Sequence, residues 1–264
     1  MRLDVSYDGT DFSGWAAQRD RRTVAGVLTE ALLRLFPAAD GLTVAGRTDA
    51  GVHATGQVCH VQVPAARWEQ LSATIVRRLA ALLPGDVRVR AVQAVPATFD
   101  ARFSALARRY EYRVGDAPYG VDPLRRRDTL AWLRPLDLVA LNAASAPLCG
   151  EHDFAAYCRR KENATTVRTL RGLSWHRAEA NVVVATVEAD AFCQAMVRSL
   201  VGALLAVGDG RRPVEWPASL LARLARADQV VVAPPHGLTL VAVEYPDDPR
   251  EYAVRAELAR NRRA

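Results

Sequence analysis

Apolar residues recur along the chain at two spacings, one typical of amphipathic helices and the other typical of strands. Val24, Leu28, Leu32 and Leu35 share one helical face, and Thr23 before them is a residue type that caps helix N-termini. The helical spacing predicts helices over 23–36, 68–82, 136–148, 191–208 and 216–227. Short apolar and alternating runs predict strands over 3–8, 42–46, 57–63, 86–95, 108–114, 168–177, 181–190 and 238–246.

These elements fall into two successive halves that each mix helices with strands. The seam lies near 100–107, and no low-complexity linker separates the halves there. We therefore predict an α+β fold with an N-terminal α/β subdomain over 1–104 and a similar C-terminal α/β subdomain over 105–246. The two are expected to share a central antiparallel or mixed sheet, and 247–264 are expected to form an exposed, basic and partly disordered tail.

The charge balance of the chain is basic. Lys and Arg number 35 against 29 Asp and Glu, a formal net charge of +6, and the isoelectric point is near 9.5. Such a balance favours a polyanionic partner. Three arginine-rich clusters in predicted loops, at 19–22, 125–127 and 159–161, favour a phosphate-binding surface over simple solvation.

Several protein classes are disfavoured by the sequence. No apolar run reaches the roughly 18 residues of a membrane span, and the first residues are polar and strand-like, unlike a signal peptide. We therefore expect a cytoplasmic protein with no membrane partner. The cysteines, which are Cys59, Cys149, Cys158 and Cys193, show neither a Cys-x-x-Cys pair nor zinc spacing, so we expect buried or inert thiols rather than a disulfide framework.

The segment AGRTDAGVHATGQV (45–58) places one carboxylate in a tight loop after a predicted strand. Asp49 there is either a turn former, because Asp and Gly favour turns, or a nucleophile. The second interpretation rests on the small flanking residues, which leave room for a large substrate, and on Arg47, which would keep a carboxylate ionised. A metal site formed by Asp8, Asp49 and His53 is a weaker alternative, since no carboxylate cluster or histidine pair accompanies them.

Tyr110 and Tyr112 lie two residues apart in the predicted strand 108–114, so both side chains point to the same side of it. They either pack in the core or form an aromatic platform on which a displaced base stacks. The sequence leaves both alternatives open.

Arg198 lies within the apolar segment 191–208, where burial of an arginine is costly unless a carboxylate pairs with it. The side chain either extends to solvent from the end of the apolar face or pairs with a carboxylate. Asp190 is near in sequence, and Asp49 is the functionally interesting partner.

Seven segments, in one order between about residues 3 and 246, match a single known family together. They are YDGTDFSGW (7–15), RTVAGVLTEAL (22–32), AGRTDAGVHATGQV (45–58), FDARFSALARRYEYRV (99–114), GEHDFAAYC (150–158), AFCQAMVRSLVGALLAVGDG (191–210) and GLTLVAVEYP (237–246). The string GRTDAGVHA is highly specific. On these motifs the chain resembles the tRNA pseudouridine synthase A family.

The resemblance implies the pseudouridine synthase fold, with a basic active-site cleft between the two subdomains. It implies isomerisation of uridine to pseudouridine at positions 38, 39 and 40 in the anticodon arm of tRNAs, by a homodimer without cofactor or metal. Matched residue by residue, Asp49 would be the catalytic aspartate and Tyr110 the active-site tyrosine. Arg198 would be the partner of Asp49, and Arg47, together with Tyr110, would bind the target nucleotide and hold it out of the helix.

Five positions depart from the family pattern. Ala16 stands where glutamine is usual, Asp100 where histidine is usual, and Thr239 where tyrosine is usual; Gln194 and Ala195 stand where histidines are frequent. None of the departures coincides with Asp49, Tyr110 or Arg198. They bear on tRNA preference and on the fine shape of the pocket rather than on the reaction.

The implied reaction breaks the bond between uracil N1 and ribose C1′, turns the base and rejoins it through C5. Substrate and product are isomers, so no redox or group-transfer cofactor is required. Asp49 could attack C1′, as in retaining glycosidases, add to C6, or remove a ribose proton, and the sequence leaves these three open. Rival hypotheses are a non-catalytic RNA-binding module, a metal-dependent hydrolase using Asp8, Asp49 and His53, and a pseudouridine synthase acting on other RNAs.

Overall fold

The computed structural model describes residues 1–159, 165–179 and 181–261, and the chain divides into two compact units. The first unit comprises Met1–Leu106 together with the described residues from Leu240 onward, and the second comprises those of Ala107–Thr239. The boundary lies within the expected seam, but the last strand belongs mostly to the first unit rather than to the second. The expected ranges 1–104 and 105–246 differ from the observed units in that respect.

The first unit is built on antiparallel strand pairs. Its elements are β1 (Arg2–Tyr7), α1 (Val24–Leu35), β2 (Asp40–Val44), β3 (His53–Gln62), α2 (Ala65–Leu71), α3 (Ile75–Leu82), β4 (Val87–Gln93), β10 (Leu238–Glu244) and α7 (Glu251–Asn261). The strand β1 pairs with both β3 and β4, β2 pairs with β3, and β10 lies beside β3. Alternate residues of β1, namely Leu3, Val5 and Tyr7, are buried, as the strand period requires.

The helix α1 confirms the prediction made from its apolar spacing. The Thr23 side chain accepts a hydrogen bond from the Gly26 N–H at 3.2 Å, and the predicted apolar face is buried. The single helix expected over 68–82 is instead two helices, α2 and α3. Thr74 separates them, because its N–H and its hydroxyl both donate to the Leu71 carbonyl and tighten the chain into a turn.

The tail expected after residue 246 contains a helix in the part that the structure describes, and the sequence pattern did not predict it. Residues 251–261 form α7, and Tyr252 at its start is buried in an aromatic cluster. The Phe99 ring packs 5.2 Å from the Tyr252 ring and 5.0 Å from the Tyr245 ring. Burial of these rings holds α7 in the first unit. Residues 262–264 lie outside the described part of the chain.

The second unit also combines a sheet with helices. Its elements are β5 (Ala107–Gly115), β6 (Leu130–Ala131), α4 (Leu138–Ser145), β7 (Gly150–Asp153), β8 (Val167–Glu179), β9 (Val182–Ala189), α5 (Met196–Gly208) and α6 (Trp216–Ser219). The strand order β5-β9-β8-β7 is antiparallel throughout, and β6 runs parallel to β5. The predicted strand pair at 168–177 and 181–190 is confirmed, as is the mixed α+β composition of the chain.

Two helices of the second unit are shorter than their apolar patterns predicted. The segment 191–208 becomes helical only at Met196, because Asp190 Oδ1 accepts the Ala191 N–H at 2.8 Å and Ala195 has a φ of 65°. The segment 216–227 is helical only over Trp216–Ser219, followed by one 3₁₀ turn. No helix in the described part of the chain is long and apolar enough to cross a membrane.

Candidate active site

Asp49 lies half-buried in the loop that joins β2 to β3. The loop closes on itself, because the Val52 N–H donates to the Asp49 carbonyl at 3.2 Å and Gly51 adopts a φ of 77°. Asp49 is therefore the first residue of a tight turn. Its side chain is half-buried, and the turn constrains the backbone that carries it. The neighbouring Arg47 side chain is exposed.

The segment after β1 packs closely against the Asp49 loop. The Trp15 N–H donates to the Thr48 carbonyl at 3.0 Å. A Cβ at Gly14 would lie 2.9 Å from the same carbonyl oxygen, and a Cβ at Gly9 would lie 2.0 Å from the Val52 oxygen. The YDGTDFSGW and GRTDAGVHA segments are thus in backbone contact, and the glycines are required for that approach.

Gly9→Ala is expected to lower the free energy of unfolding by about 1–3 kcal/mol, because the added methyl group meets the Val52 backbone. Chemical denaturation measures the change. Gly85→Ala is the matched control, since a Cβ there meets nothing within 4 Å. Equal stabilities for the two variants would contradict the close approach.

Buried polar side chains behind the Asp49 loop were not identified from the sequence. The Tyr7 hydroxyl lies 2.8 Å from Thr48 Oγ1, and Gln57 Nε2 donates to the Tyr7 hydroxyl at 3.2 Å and to the Gly46 carbonyl at 2.7 Å. Tyr7, Thr48 and Gln57 are 5%, 6% and 0% exposed. The one sequence signal was a glutamine that begins the apolar strand segment QVCHVQV (57–63).

His53 is buried and has a structural role in the same region. Its Nδ1 lies 3.0 Å from the Gly9 N and 3.2 Å from Asp8 Oδ1. Among the residues described, no three His, Cys, Asp or Glu side chains converge to hold a metal ion. The metal hypothesis on Asp8, Asp49 and His53 thus finds no ligand cluster in the described part of the chain.

Tyr110 and Tyr112 point to the same side of β5, as their spacing predicted, and both are buried. The Tyr110 ring meets the Phe192 ring edge-on, with centroids 5.2 Å apart. The Tyr112 hydroxyl donates to the Pro234 carbonyl at 2.8 Å, and burial raises the pKa of its phenol. Tyr112 is therefore a core residue, whereas Tyr110 packs against the connection between β9 and α5.

Arg198 lies half-buried in the first turn of α5. Its Nε donates to the Ala233 carbonyl at 2.7 Å, and the Ala233 N–H donates back to the Arg198 carbonyl at 3.0 Å. This reciprocal pair fixes the direction in which the guanidinium leaves the helix. The positive charge also lies close enough to Tyr112 to oppose part of the rise in that phenol's pKa.

Asp190, the alternative partner considered for Arg198, caps the connection that leads to α5. Its Oδ1 accepts the Thr169 N–H at 3.0 Å and the Ala191 N–H at 2.8 Å. The Asp190 carbonyl accepts a further bond from Arg108 at 2.7 Å. These bonds give Asp190 a local structural role.

The expectation that all four cysteines are separate thiols was wrong. Cys158 and Cys193 form a disulfide, with Cα atoms 5.7 Å apart, and Cys59 and Cys149 are free. The Arg159 N–H donates to the Gln194 carbonyl at 2.9 Å, which holds the two chain segments side by side. Proximity of this kind arises from tertiary folding and leaves no trace in cysteine spacing.

Reduction of this disulfide is expected to lower the free energy of unfolding by about 2–4 kcal/mol, since it closes a loop with a sequence separation of 35. Denaturant unfolding with and without a thiol reductant measures the effect. Cys158→Ala should abolish the response to reductant, and Cys149→Ala should retain it. Labelling of all four cysteines in denaturant without reductant would contradict the pairing.

Two of the three arginine-rich clusters are described in full. Arg22 makes two 2.8 Å bonds to Asp86 and lies over the Phe12 ring, so it belongs to an exposed ion pair within the chain. Arg125 pairs with Asp128 at 2.8 Å. In the third cluster Arg159 is exposed, whereas 160 and 161 lie outside the described residues.

Comparison with known proteins gives one family. Residues 5–104 and 144–246 match the family model described as tRNA pseudouridine synthase. The matched ranges include Asp49 and its loop, the segment with the Cys158–Cys193 disulfide, and the first turn of α5. Tyr110 lies between the two ranges.

Three bacterial proteins similar over almost the whole chain share a name. A protein of Frankia casuarinae named tRNA pseudouridine synthase A is 59% identical over 98% of this chain and 94% of its own length. A protein of the same name from Streptomyces griseus is 58% identical over 99% of this chain and 93% of its own. The Mycobacterium leprae protein of that name is 49% identical over 100% of this chain and 95% of its own.

Proposed function

The chain belongs to the tRNA pseudouridine synthase family, and we propose that it isomerises uridine to pseudouridine at positions 38, 39 and 40 of tRNA. The observation that carries the proposal is the similarity, over almost the whole chain, to proteins named tRNA pseudouridine synthase A. The basic net charge of +6 supports a polyanionic substrate. The position within the anticodon arm rests on the resemblance of the sequence motifs.

We propose Asp49 as the catalytic carboxylate. It is half-buried in a loop, and the small residues Ala50 and Gly51 follow it in the sequence. Contacts with the segment after β1 constrain that loop. A fixed carboxylate beside a nucleotide can capture the detached sugar or base during the isomerisation. Attack at C1′, addition to C6 and removal of a ribose proton would each use the Asp49 carboxylate.

The target base must leave its stack before any of these steps, at a cost of a few kcal/mol. In the proposal, the exposed Arg47 contacts the displaced nucleotide, and Tyr110 stacks on the extruded uracil. The edge-on contact with Phe192 would hold the Tyr110 ring in one orientation. Arg198, anchored by Ala233, is proposed to pair with Asp49 and to hold it ionised and oriented.

We also propose that the protein is a homodimer in the cytoplasm, where its arginine clusters bind tRNA phosphates. A mass near twice 28.8 kDa in light scattering would support the dimer, and a mass near 28.8 kDa at working concentration would contradict it. The dimer and the reaction are independent claims, since either can fail while the other holds.

Position specificity is tested with unmodified tRNA transcripts in which uridines at 38, 39 and 40 are replaced by cytidine one at a time. Pseudouridine should appear at each of these positions that carries uridine, and it should disappear with each replacement. A transcript with uridines only outside the anticodon arm is the control. Modification of that control at a comparable rate would overturn the proposed specificity and favour a synthase acting on other RNA sites.

A further inference from the structure

Tyr7, Thr48 and Gln57 form a hydrogen-bonded chain behind the Asp49 loop. The Gln57 amide has two hydrogens, and Nε2 lies 2.7 Å from the Gly46 carbonyl and 3.2 Å from the Tyr7 hydroxyl. The Tyr7 oxygen therefore accepts from Gln57, and the Tyr7 hydroxyl shares a second hydrogen bond with Thr48 Oγ1 at 2.8 Å. Gln57 Oε1 accepts the Val58 N–H at 3.2 Å, so the amide is used on both sides.

These bonds attach the loop at two points on either side of Arg47. Gln57 holds the backbone at Gly46, and Tyr7 holds the side chain of Thr48, the residue immediately before Asp49. The three side chains are almost fully buried, so a loop conformation that broke the bonds would leave polar groups without partners. An unpaired buried polar group carries its full desolvation cost, so alternative loop conformations are disfavoured.

Two paired strands carry Tyr7 and Gln57. Tyr7 ends β1, Gln57 lies within β3, and these strands pair antiparallel with Val5 opposite Gln57. The Tyr7 ring also packs 5.9 Å from the Trp15 ring, and the Trp15 N–H donates to the Thr48 carbonyl. The loop is thus held through its backbone at Gly46 and Thr48 and through one hydroxyl.

We propose that Gln57 and Tyr7 are positioning residues for Asp49, acting through Gly46 and Thr48. The proposal rests on the proposed catalytic role of Asp49. An apolar trio could fill the same volume, but it would not fix the carbonyl of Gly46 or the hydroxyl of Thr48. Fixing them matters because a displacement of about 1 Å in a reacting group can cost about 100-fold in rate.

Three variants that each remove a hydrogen-bonding group test the positioning role: Gln57→Leu, Tyr7→Phe and Thr48→Val. Each should lower kcat by about 10- to 100-fold while KM and tRNA affinity change by less than about threefold. Thr48→Ser keeps the hydroxyl and should restore kcat to near the wild-type value. The double variant Tyr7→Phe with Thr48→Val should lose no more than the worse single variant, because both remove the same bond.

Thr23→Val is the matched control. Thr23 is 2% exposed, and its hydroxyl caps α1, so the substitution removes the same atoms from a buried threonine in the same unit. It should lower the melting temperature as Thr48→Val does, but leave kcat per folded molecule unchanged. Equal kcat values for Thr23→Val, Thr48→Val and wild type would overturn the positioning role, as would a double variant whose losses multiply.

Measuring Asp49→Ala alongside these variants separates the catalytic role of Asp49 from the positioning role of Tyr7 and Gln57. If Asp49→Ala is inactive while Gln57→Leu, Tyr7→Phe and Thr48→Val keep wild-type kcat, the positioning role alone is wrong. If Asp49→Ala keeps its activity, the proposed catalytic role is wrong and the positioning role falls with it. Should Gln57→Leu fail to fold, the Tyr7→Phe and Thr48→Val pair decides the question.

Discussion

Asp49→Ala is expected to lower the single-turnover rate of pseudouridine formation by at least about 10⁴-fold. In the proposed mechanism, the substitution removes the carboxylate that captures the reacting sugar or base, and no neighbouring side chain of the loop supplies another carboxylate. Isomerisation forms a carbon–carbon bond at C5, so the C5 hydrogen leaves. Release of tritium from [5-³H]uridine-labelled tRNA therefore measures the rate.

Asp49→Asn is the conservative companion to this variant. It keeps the size and the turn-forming ability of the side chain, so folding and tRNA affinity should remain within about threefold of wild type while turnover is lost. If Asp49→Asn turned over at the wild-type rate, Asp49 would be a turn former and the carboxylate would have no catalytic role. A parallel loss of folding and activity in both variants would point to the same conclusion.

Arg198→Met is expected to lower kcat by about 100- to 1000-fold, equivalent to about 3–4 kcal/mol, with little change in tRNA affinity. The physical reason is that, in the proposed pairing, the partly buried Asp49 carboxylate loses both its charge partner and its orienting donors. Methionine preserves much of the apolar stem that packs in the first turn of α5. Filter binding of tRNA and single-turnover rates measured on the same preparation separate affinity from chemistry.

Two companions sharpen the interpretation of Arg198→Met. Arg198→Lys keeps the charge but loses the planar fork, so it should recover part of the rate and not all of it. Arg134→Met removes an exposed arginine of the same unit, paired at 3.7 Å with Asp209, and should leave kcat unchanged. Unchanged turnover in Arg198→Met would contradict the pairing of Arg198 with Asp49.

The sequence was sufficient to predict those elements that depend on residues near one another in the chain. The helix α1 begins after the expected cap at Thr23, and the alternation in β5 buries Tyr110 and Tyr112 together. Both outcomes depend on residues that are near one another in the chain, so spacing alone predicts them.

The apolar spacing was insufficient to predict helix bounds that depend on tertiary contacts. The apolar spacing over 216–227 predicted one helix, but the Ala227 N–H donates to the Ala156 carbonyl, and Leu224 is 80% exposed. The delayed start of α5 follows from a carboxylate of Asp190 that captures a backbone N–H. The local sequence around 191–195 and 220–227 does not indicate that the Asp190 carboxylate or the Ala156 carbonyl binds the backbone there.

Some residues of the candidate site were predicted from the sequence, and others were found only in the structure. Asp49 and Arg198 were recognised because whole motifs surround them and resemble those of a known family. Tyr7 and Gln57 were missed because their hydrogen bonds join positions 41, 50 and 11 residues apart, with no local signal. The residues alone indicate that the carboxylate of Asp49 is a candidate functional group, and the family resemblance implies its substrate.

The most direct test of the account is a position-resolved map of pseudouridine in unmodified tRNA transcripts, incubated in excess EDTA with wild type or with Asp49→Ala. We expect wild type to convert uridines at 38, 39 and 40 and Asp49→Ala to convert none, with EDTA having no effect. Conversion by Asp49→Ala at the wild-type rate would contradict the central role of Asp49. Loss of wild-type activity in EDTA would instead favour a metal-dependent reaction.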